Sequence, residues 1–122
     1  MASARKSWVK IKDDSKRAGL DVMKVVGRSG FGDLLDKMEE KRLAVVALEK
    51  KQPVDAAKLK AAVTACQEAQ QKAHTLCQGI ARAFVDVANH SAEPTKSRAN
   101  EVSGELMGML DLIKNYRTRG GA

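Results

Sequence analysis

The feature that most constrains the fold of this chain is a heptad pattern that extends from Leu59 to Ser91. Its positions advance by alternating steps of four and three residues, so they fall on one face of a helix. This spacing predicts one long helix, over about residues 54–91, with a stripe that faces a neighbouring helix as in a coiled coil. The stripe consists of Leu59, Val63, Cys66, Gln70, Ala73, Cys77, Ile80, Phe84, Val87 and Ser91.

The middle of this stripe is small or polar, whereas both of its ends are apolar. Small residues such as Ala73 allow a neighbouring helix to approach closely. A glutamine on the stripe, such as Gln70, can fix the register of two helices at some cost in stability. We therefore expect a close helix contact in the middle of the long helix.

A second heptad stripe follows Pro94, a residue that fits the first turn of a helix. This stripe predicts a helix over about residues 94–117, which ends before Gly120. Because only a short break separates the two helices, we expect them to form a long antiparallel hairpin. The second stripe consists of Ala99, Val102, Leu106, Met109, Ile113 and Tyr116.

Two shorter helices are predicted in the N-terminal part of the chain. Apolar residues at helical spacing predict one over residues 33–51, with Asp33 as its N-cap, and one over about residues 14–27. A glycine-rich loop over residues 27–32 separates them. The expected fold class is therefore all-α, a helical bundle built on the long antiparallel hairpin.

The length and composition of the chain fit one domain. It has 122 residues, of which 43% are apolar and 30% are charged, and no apolar run approaches the ~20 residues that a membrane span needs. We expect a single helical-bundle domain over residues 14–122, preceded by a basic arm over residues 1–13. Because the N-terminus has no apolar run of a cleavable secretory signal, a cytoplasmic location is expected, and an unconventional secretion signal is left open.

The sequence offers little for catalysis or metal binding. Its two cysteines, Cys66 and Cys77, would lie ~16 Å apart on one helix, too far for a disulfide, so we expect both to be reduced and buried. His74 and Cys77 have a spacing that can share a zinc ion, but a structural zinc site needs four ligands. We therefore expect no enzyme, no catalytic, metal or cofactor-binding residues, and no small-molecule substrate.

Positive charge is concentrated near the N-terminus. The formal net charge is +7, and residues 1–28 contain eight basic and three acidic residues. Such a segment is typical of a surface that contacts a polyanion, an anionic membrane or an acidic protein. On a continuous helix, Lys6, Lys10, Arg17, Lys24 and Arg28 would share one face. The candidate contact residues are Arg5, Lys6, Lys10, Lys12, Lys16, Arg17, Lys24 and Arg28.

The predicted helix lengths point to assembly. At ~1.5 Å per residue the long helix would measure ~55 Å, and each shorter helix would cover mainly one half of it. Part of its stripe would then lack a neighbour within one chain, which predicts a homo-oligomer or a helical protein partner. A compact four-helix bundle within one chain is the alternative. The predicted self-association residues are Leu59, Val63, Ile80, Phe84, Val87, Val102, Leu106, Met109 and Ile113.

From these features we predict a non-catalytic, self-assembling scaffold or interaction protein, such as the subunit of an oligomer or filament. Its basic N-terminal arm would contact an acidic partner. The alternative is a nucleic-acid-binding protein that acts independently of base sequence through the same basic residues. Peripheral membrane contact through Trp8 and its basic neighbours is a further alternative.

Overall fold

The computed structural model describes residues 3–17, 19–20 and 30–116. These residues form four helices that pack together, and they contain no strand, which confirms the predicted all-α class. None of the four helices is long and apolar enough to cross a membrane. The helices are α1 (Ser3–Arg17), α2 (Phe31–Lys50), α3 (Ala56–Asn89) and α4 (Thr95–Lys114).

Local sequence explains where α2 and α3 begin. Asp55 caps α3, because its Oδ1 accepts a hydrogen bond of 3.1 Å from the backbone N–H of Lys58. The predicted cap of α2, Asp33, lies instead inside the first turn, since that helix begins at Phe31, directly after Gly30. The Asp33 carboxylate there still faces the positive end of the helix dipole, which stabilises the helix.

The central element of the bundle is α3. It has 34 residues, a length of about 51 Å, whereas α2 and α4 have 20 residues each, about 30 Å. Both shorter helices pack along α3, and α1 packs against α4 and α2. Gln70 of α3 is hydrogen-bonded to Ile113 of α4, and Ala81, further along α3, is hydrogen-bonded to Ser103, which comes earlier in α4. The two helices are therefore antiparallel.

Most of the large apolar side chains share one core. Trp8 of α1 meets Phe31 of α2 edge to face, with ring centroids 4.8 Å apart, an arrangement that aromatic pairs favour. All four helices contribute to this core, which is why they form one body. Its fully buried members include Leu35, Met38, Phe84, Leu106, Ile113 and Tyr116.

The N-terminal segment differs from the predicted basic arm. Residues 3–17 form one helix that continues through the boundary expected at residue 13, and Trp8 and Ile11 on this helix are buried in the core. The described part of this segment therefore belongs to the bundle. Its buried positions recur at steps of four and three residues, the spacing that places side chains on one helix face.

The helix α1 ends at a glycine. Gly19 has a φ of 83°, and its N–H donates to the Lys16 carbonyl at 3.0 Å, while the N–H of Leu20 donates to the Ser15 carbonyl at 2.7 Å. This is a Schellman cap, which stops a helix and buries the apolar residue that follows the glycine. The rest of the helix predicted over 14–27, and the first residues of the loop predicted over 27–32, lie outside the described residues.

The predicted self-association residues do not form one exposed surface. Six of the nine are buried in the core of the single chain, where helices of that chain cover them. A second copy cannot reach them while the bundle is folded, so for these six the expectation is corrected. Only Leu59, Val63 and Val87 are half-buried. The six buried residues are Ile80, Phe84, Val102, Leu106, Met109 and Ile113.

Replacing Phe84 by alanine is expected to lower the free energy of unfolding by about 3–5 kcal/mol, because the change leaves a cavity in the core. The half-buried Val87, three residues further along α3, is the matched control, and Val87→Ala is expected to cost about 1 kcal/mol. Urea unfolding followed by circular dichroism measures both. Equal losses for the two variants would contradict the central position of Phe84.

Candidate interaction surfaces

Gln70 anchors the C-terminal end of α4. Its Nε2 donates hydrogen bonds to the carbonyl oxygens of Ile113, at 2.9 Å, and Lys114, at 3.2 Å. These carbonyls belong to the last turn of α4, where the regular hydrogen-bond ladder of the helix ends. The contact ties the end of α4 to one position along α3.

Two further hydrogen bonds join the close-packed parts of α3 and α4. The Cys77 Sγ donates to the Leu106 carbonyl at 3.3 Å, and the Ser103 Oγ donates to the Ala81 carbonyl at 3.2 Å. Both donors are buried, so each bond satisfies a polar group that water does not reach. The small side chains on both helices permit the approach that these bonds require.

A cluster of polar and charged side chains connects α2 to Tyr116, which lies two residues beyond the end of α4. The Tyr116 hydroxyl donates to Glu39 Oε2 at 2.8 Å, and the Arg42 Nε lies 2.6 Å from Oε1 of the same carboxylate. Burial, together with the hydrogen bond to Glu39, raises the pKa of Tyr116, and the hydrogen bond to Glu39 raises the pKa of Arg42. No local pattern in the sequence predicts this cluster, because Tyr116 and Glu39 lie 77 residues apart.

The two thiols lie in packing positions. Cys66 and Cys77 are buried and unbridged, and burial raises the pKa of Cys77 from 9.0 to about 12, so this thiol stays protonated at neutral pH. His74, considered above as a zinc partner for Cys77, is half-buried on the same helix. In the part of the chain that the structure describes, no three His, Cys, Asp or Glu side chains lie close enough to hold a metal ion.

Three of the predicted basic contact residues share an exposed face of α1. Lys6, Lys10 and Arg17 lie opposite the side of the helix that Trp8 and Ile11 bury in the core. We call these three residues the basic face. All three are exposed, and among the described residues none of the three has a salt bridge.

The other predicted basic residues lie in different surroundings. Arg5 is half-buried, with its Nη1 3.9 Å from Asp36, and the Lys12 Nζ lies 5.6 Å from the ring centroid of Trp8. Lys16 is exposed beside the basic face. The remaining two, Lys24 and Arg28, lie outside the described residues, and the glycine cap of α1 removes the continuous helix on which their alignment was predicted.

The N-terminal end of α3 extends beyond α4, because Gln70 contacts the last turn of that helix. Leu59 and Val63 continue the heptad stripe past this point, and they are half-buried, whereas Cys66 on the same stripe is completely buried. In the adjoining part of the chain, Leu43 of α2 and Val54 of the α2–α3 loop are 53% and 43% exposed. We call these four apolar residues, Leu43, Val54, Leu59 and Val63, the open end.

Comparison of the chain with protein-family models, with curated proteins and with solved structures finds no match.

The buried Cys77 thiol is expected to make the fold less stable in alkali. The pKa of Cys77 is higher in the folded than in the unfolded chain, so its stabilising contribution is complete below about pH 9 and is lost as the pH rises toward 12. Above pH 9 it lowers the free energy of unfolding by up to about 1.4 kcal/mol per pH unit.

Urea unfolding at several pH values measures this dependence. In Cys77→Ala the free energy of unfolding should decline less steeply above pH 9 than in the wild type, whatever the absolute loss of stability. Identical slopes in the two proteins would show that Cys77 does not titrate as its burial requires.

Proposed function

We propose that this protein is a non-catalytic helical interaction protein that self-assembles through the open end. The observation that carries the proposal is the change in burial along one heptad stripe. Cys66, Ala73, Cys77, Ile80 and Phe84 of the stripe are buried, whereas Leu59 and Val63, which come before them, are only half-buried. A stripe that continues past its own cover is typical of a helix with an intermolecular neighbour.

A second copy is a suitable neighbour for the open end. The end consists of two antiparallel helices, so two such ends brought together form a four-helix arrangement, in which each copy covers the half-buried leucine and valine of the other. The exposed Leu43 and Val54 enlarge the apolar surface at this end. Such an interface is isologous, and it closes on itself as a dimer.

Changing the open end should therefore reduce self-association. We expect wild-type protein at micromolar concentration to show a mass above that of one chain in sedimentation equilibrium. A variant with Leu59→Gln and Val63→Thr is expected to associate at least about tenfold more weakly, because polar groups replace the apolar contact. Val87→Thr, at a half-buried position of the same stripe that packs against the core, is the matched control and should associate like the wild type. A wild-type chain that remains monomeric would refute self-assembly.

The second candidate function is nucleic-acid binding independent of base sequence, and the basic face supports it. Its three exposed charges lie along one side of α1, where they can neutralise neighbouring phosphates. The described residues of α1 contain six basic and two acidic residues, which gives the helix a positive field. This function needs no aromatic stacking surface, because phosphate contacts alone provide the affinity.

Removing the basic face tests this second function. The variant Lys6→Gln, Lys10→Gln and Arg17→Gln is expected to bind double-stranded DNA or RNA more than about tenfold more weakly. The slope of the logarithm of its binding constant against the logarithm of the salt concentration should become shallower by about one unit per replaced residue. The matched control replaces three exposed lysines elsewhere, Lys50, Lys58 and Lys60, by glutamine. If wild-type protein shows no binding at low salt, or both variants lose binding equally, the basic face is not a nucleic-acid site.

A further inference from the structure

The open end carries four lysines beside its apolar residues. Between Leu43 and Val63, its first and last residues in the sequence, the chain has four basic and two acidic residues. All four lysines are exposed, and among the described residues none of them has a salt bridge. The open end therefore has an excess of positive charge. The lysines are Lys50, Lys51, Lys58 and Lys60.

This excess does not depend on where the segment is delimited. Over residues 39–72, which include the charged residues on both sides of the open end, there are seven basic and five acidic residues, again a difference of two. Within the open end the acidic residues are Glu49 and Asp55. Asp55 caps α3, so its carboxylate faces the positive end of that helix dipole. The acidic residues lower the positive charge of the open end but do not cancel it.

The lysines lie at the same level as the half-buried apolar residues. Lys50 is the last residue of α2, and the next lysine follows it directly. Lys58 and Lys60 lie on either side of Leu59 in the first two turns of α3. A second copy that covers Leu59 therefore brings its own lysines close to these.

We propose that the lysines of two open ends repel each other, so that ionic strength controls self-assembly through this surface. In an isologous dimer the same surface of each copy lies in the interface, so the two excesses of positive charge approach each other. The open part of α3, from Ala56 to Val63, is about 11 Å long, and packed helices lie about 8–10 Å apart. The two groups of lysines are therefore about 15 Å apart even if the two ends overlap in opposite directions.

Salt determines how strongly this repulsion acts. The Debye length is about 30 Å at 0.01 M salt, which exceeds the distance between the two groups, and about 8 Å at 0.15 M salt, which does not. The lysines therefore oppose association in dilute buffer, and salt near the physiological concentration screens them. This inference rests on the proposed self-assembly through the open end, and it names the condition that regulates it.

Sedimentation equilibrium of the wild-type protein at 0.01 M and 0.15 M NaCl tests the repulsion without any change of sequence. Two charges of each copy at about 15 Å predict a dimer about threefold tighter at the higher salt concentration. The variant Lys50→Gln, Lys58→Gln and Lys60→Gln should dimerise almost equally at both concentrations, because its open end keeps almost no net charge.

Charge reversal gives a larger effect. The variant Lys50→Glu, Lys58→Glu and Lys60→Glu has a negative open end, so it should dimerise more weakly than the wild type at 0.01 M NaCl. Mixed with wild-type protein it should form a heterodimer more than about tenfold tighter than the wild-type homodimer, because opposite charges then face each other. Circular dichroism checks that the variant is folded.

The matched control reverses three charges of the basic face, by Lys6→Glu, Lys10→Glu and Arg17→Glu. This variant has the same net charge as the reversed open end, but its changes lie on α1. It should retain the salt dependence of the wild type, and a mixture with wild-type protein should gain little affinity. The comparison separates charge at the open end from the net charge of the chain.

The inference and the proposed function fail in different ways. Wild-type association that does not strengthen with salt would overturn the repulsion, as would equal affinity of the two reversed variants for the wild type. In either case, weaker association after Leu59→Gln and Val63→Thr would still support the open end. If wild-type protein and both mixtures remain monomeric at both salt concentrations, self-assembly itself is refuted, and the inference fails with it.

Discussion

The antiparallel contact between α3 and α4 determines where every other surface of this protein lies. Two features of the sequence make the contact close, namely the small residues in the middle of the α3 stripe and those on the facing side of α4. Hydrogen bonds from Gln70, Cys77 and Ser103 then hold one helix against the backbone of the other. Because the contact is fixed in register, α4 ends where Gln70 meets its last carbonyls, and the first part of α3 extends past it.

The remaining helices complete this arrangement. The cluster of Tyr116, Glu39 and Arg42 connects the end of α4 to α2. Both of these helices pack along α3. The aromatic pair of Trp8 and Phe31 joins α1 to the start of α2. Together these contacts bury the large apolar side chains of the main core. They leave the basic face of α1 exposed, and they leave the open end at the N-terminal end of α3.

How far the sequence predicts this structure depends on the range of the interactions. The all-α class, and the ends of α3 and α4 to within three residues, follow from heptad spacing and a break at a proline, which are local signals. The role of α1 was missed because its stripe of Ala4, Trp8, Ile11 and Ser15 is short and lies among lysines, so its hydrophobic content is low although its spacing is helical. The burial of Phe84 and Leu106 inside one chain depends on which helices meet. Heptad spacing predicts a neighbour for a stripe but does not distinguish a helix of the same chain from one of another.

Because local spacing does not show which helices meet, the sequence predicts some of the candidate surface residues correctly and others not. Lys6, Lys10 and Arg17 share a face as their spacing predicts, because all three lie before the glycine that ends α1. Leu59 and Val63 stay partly uncovered because α4 is shorter than α3, a comparison that the predicted helix lengths already contained.

The central claim is that a second copy covers the uncovered part of the α3 stripe. Methyl resonances of Leu59 and Val63, followed by nuclear magnetic resonance over a dilution series, test it most directly. The account predicts that both resonances shift with protein concentration, whereas those of the fully buried Leu106 stay constant. Resonances of Leu59 and Val63 that do not change with concentration would contradict it.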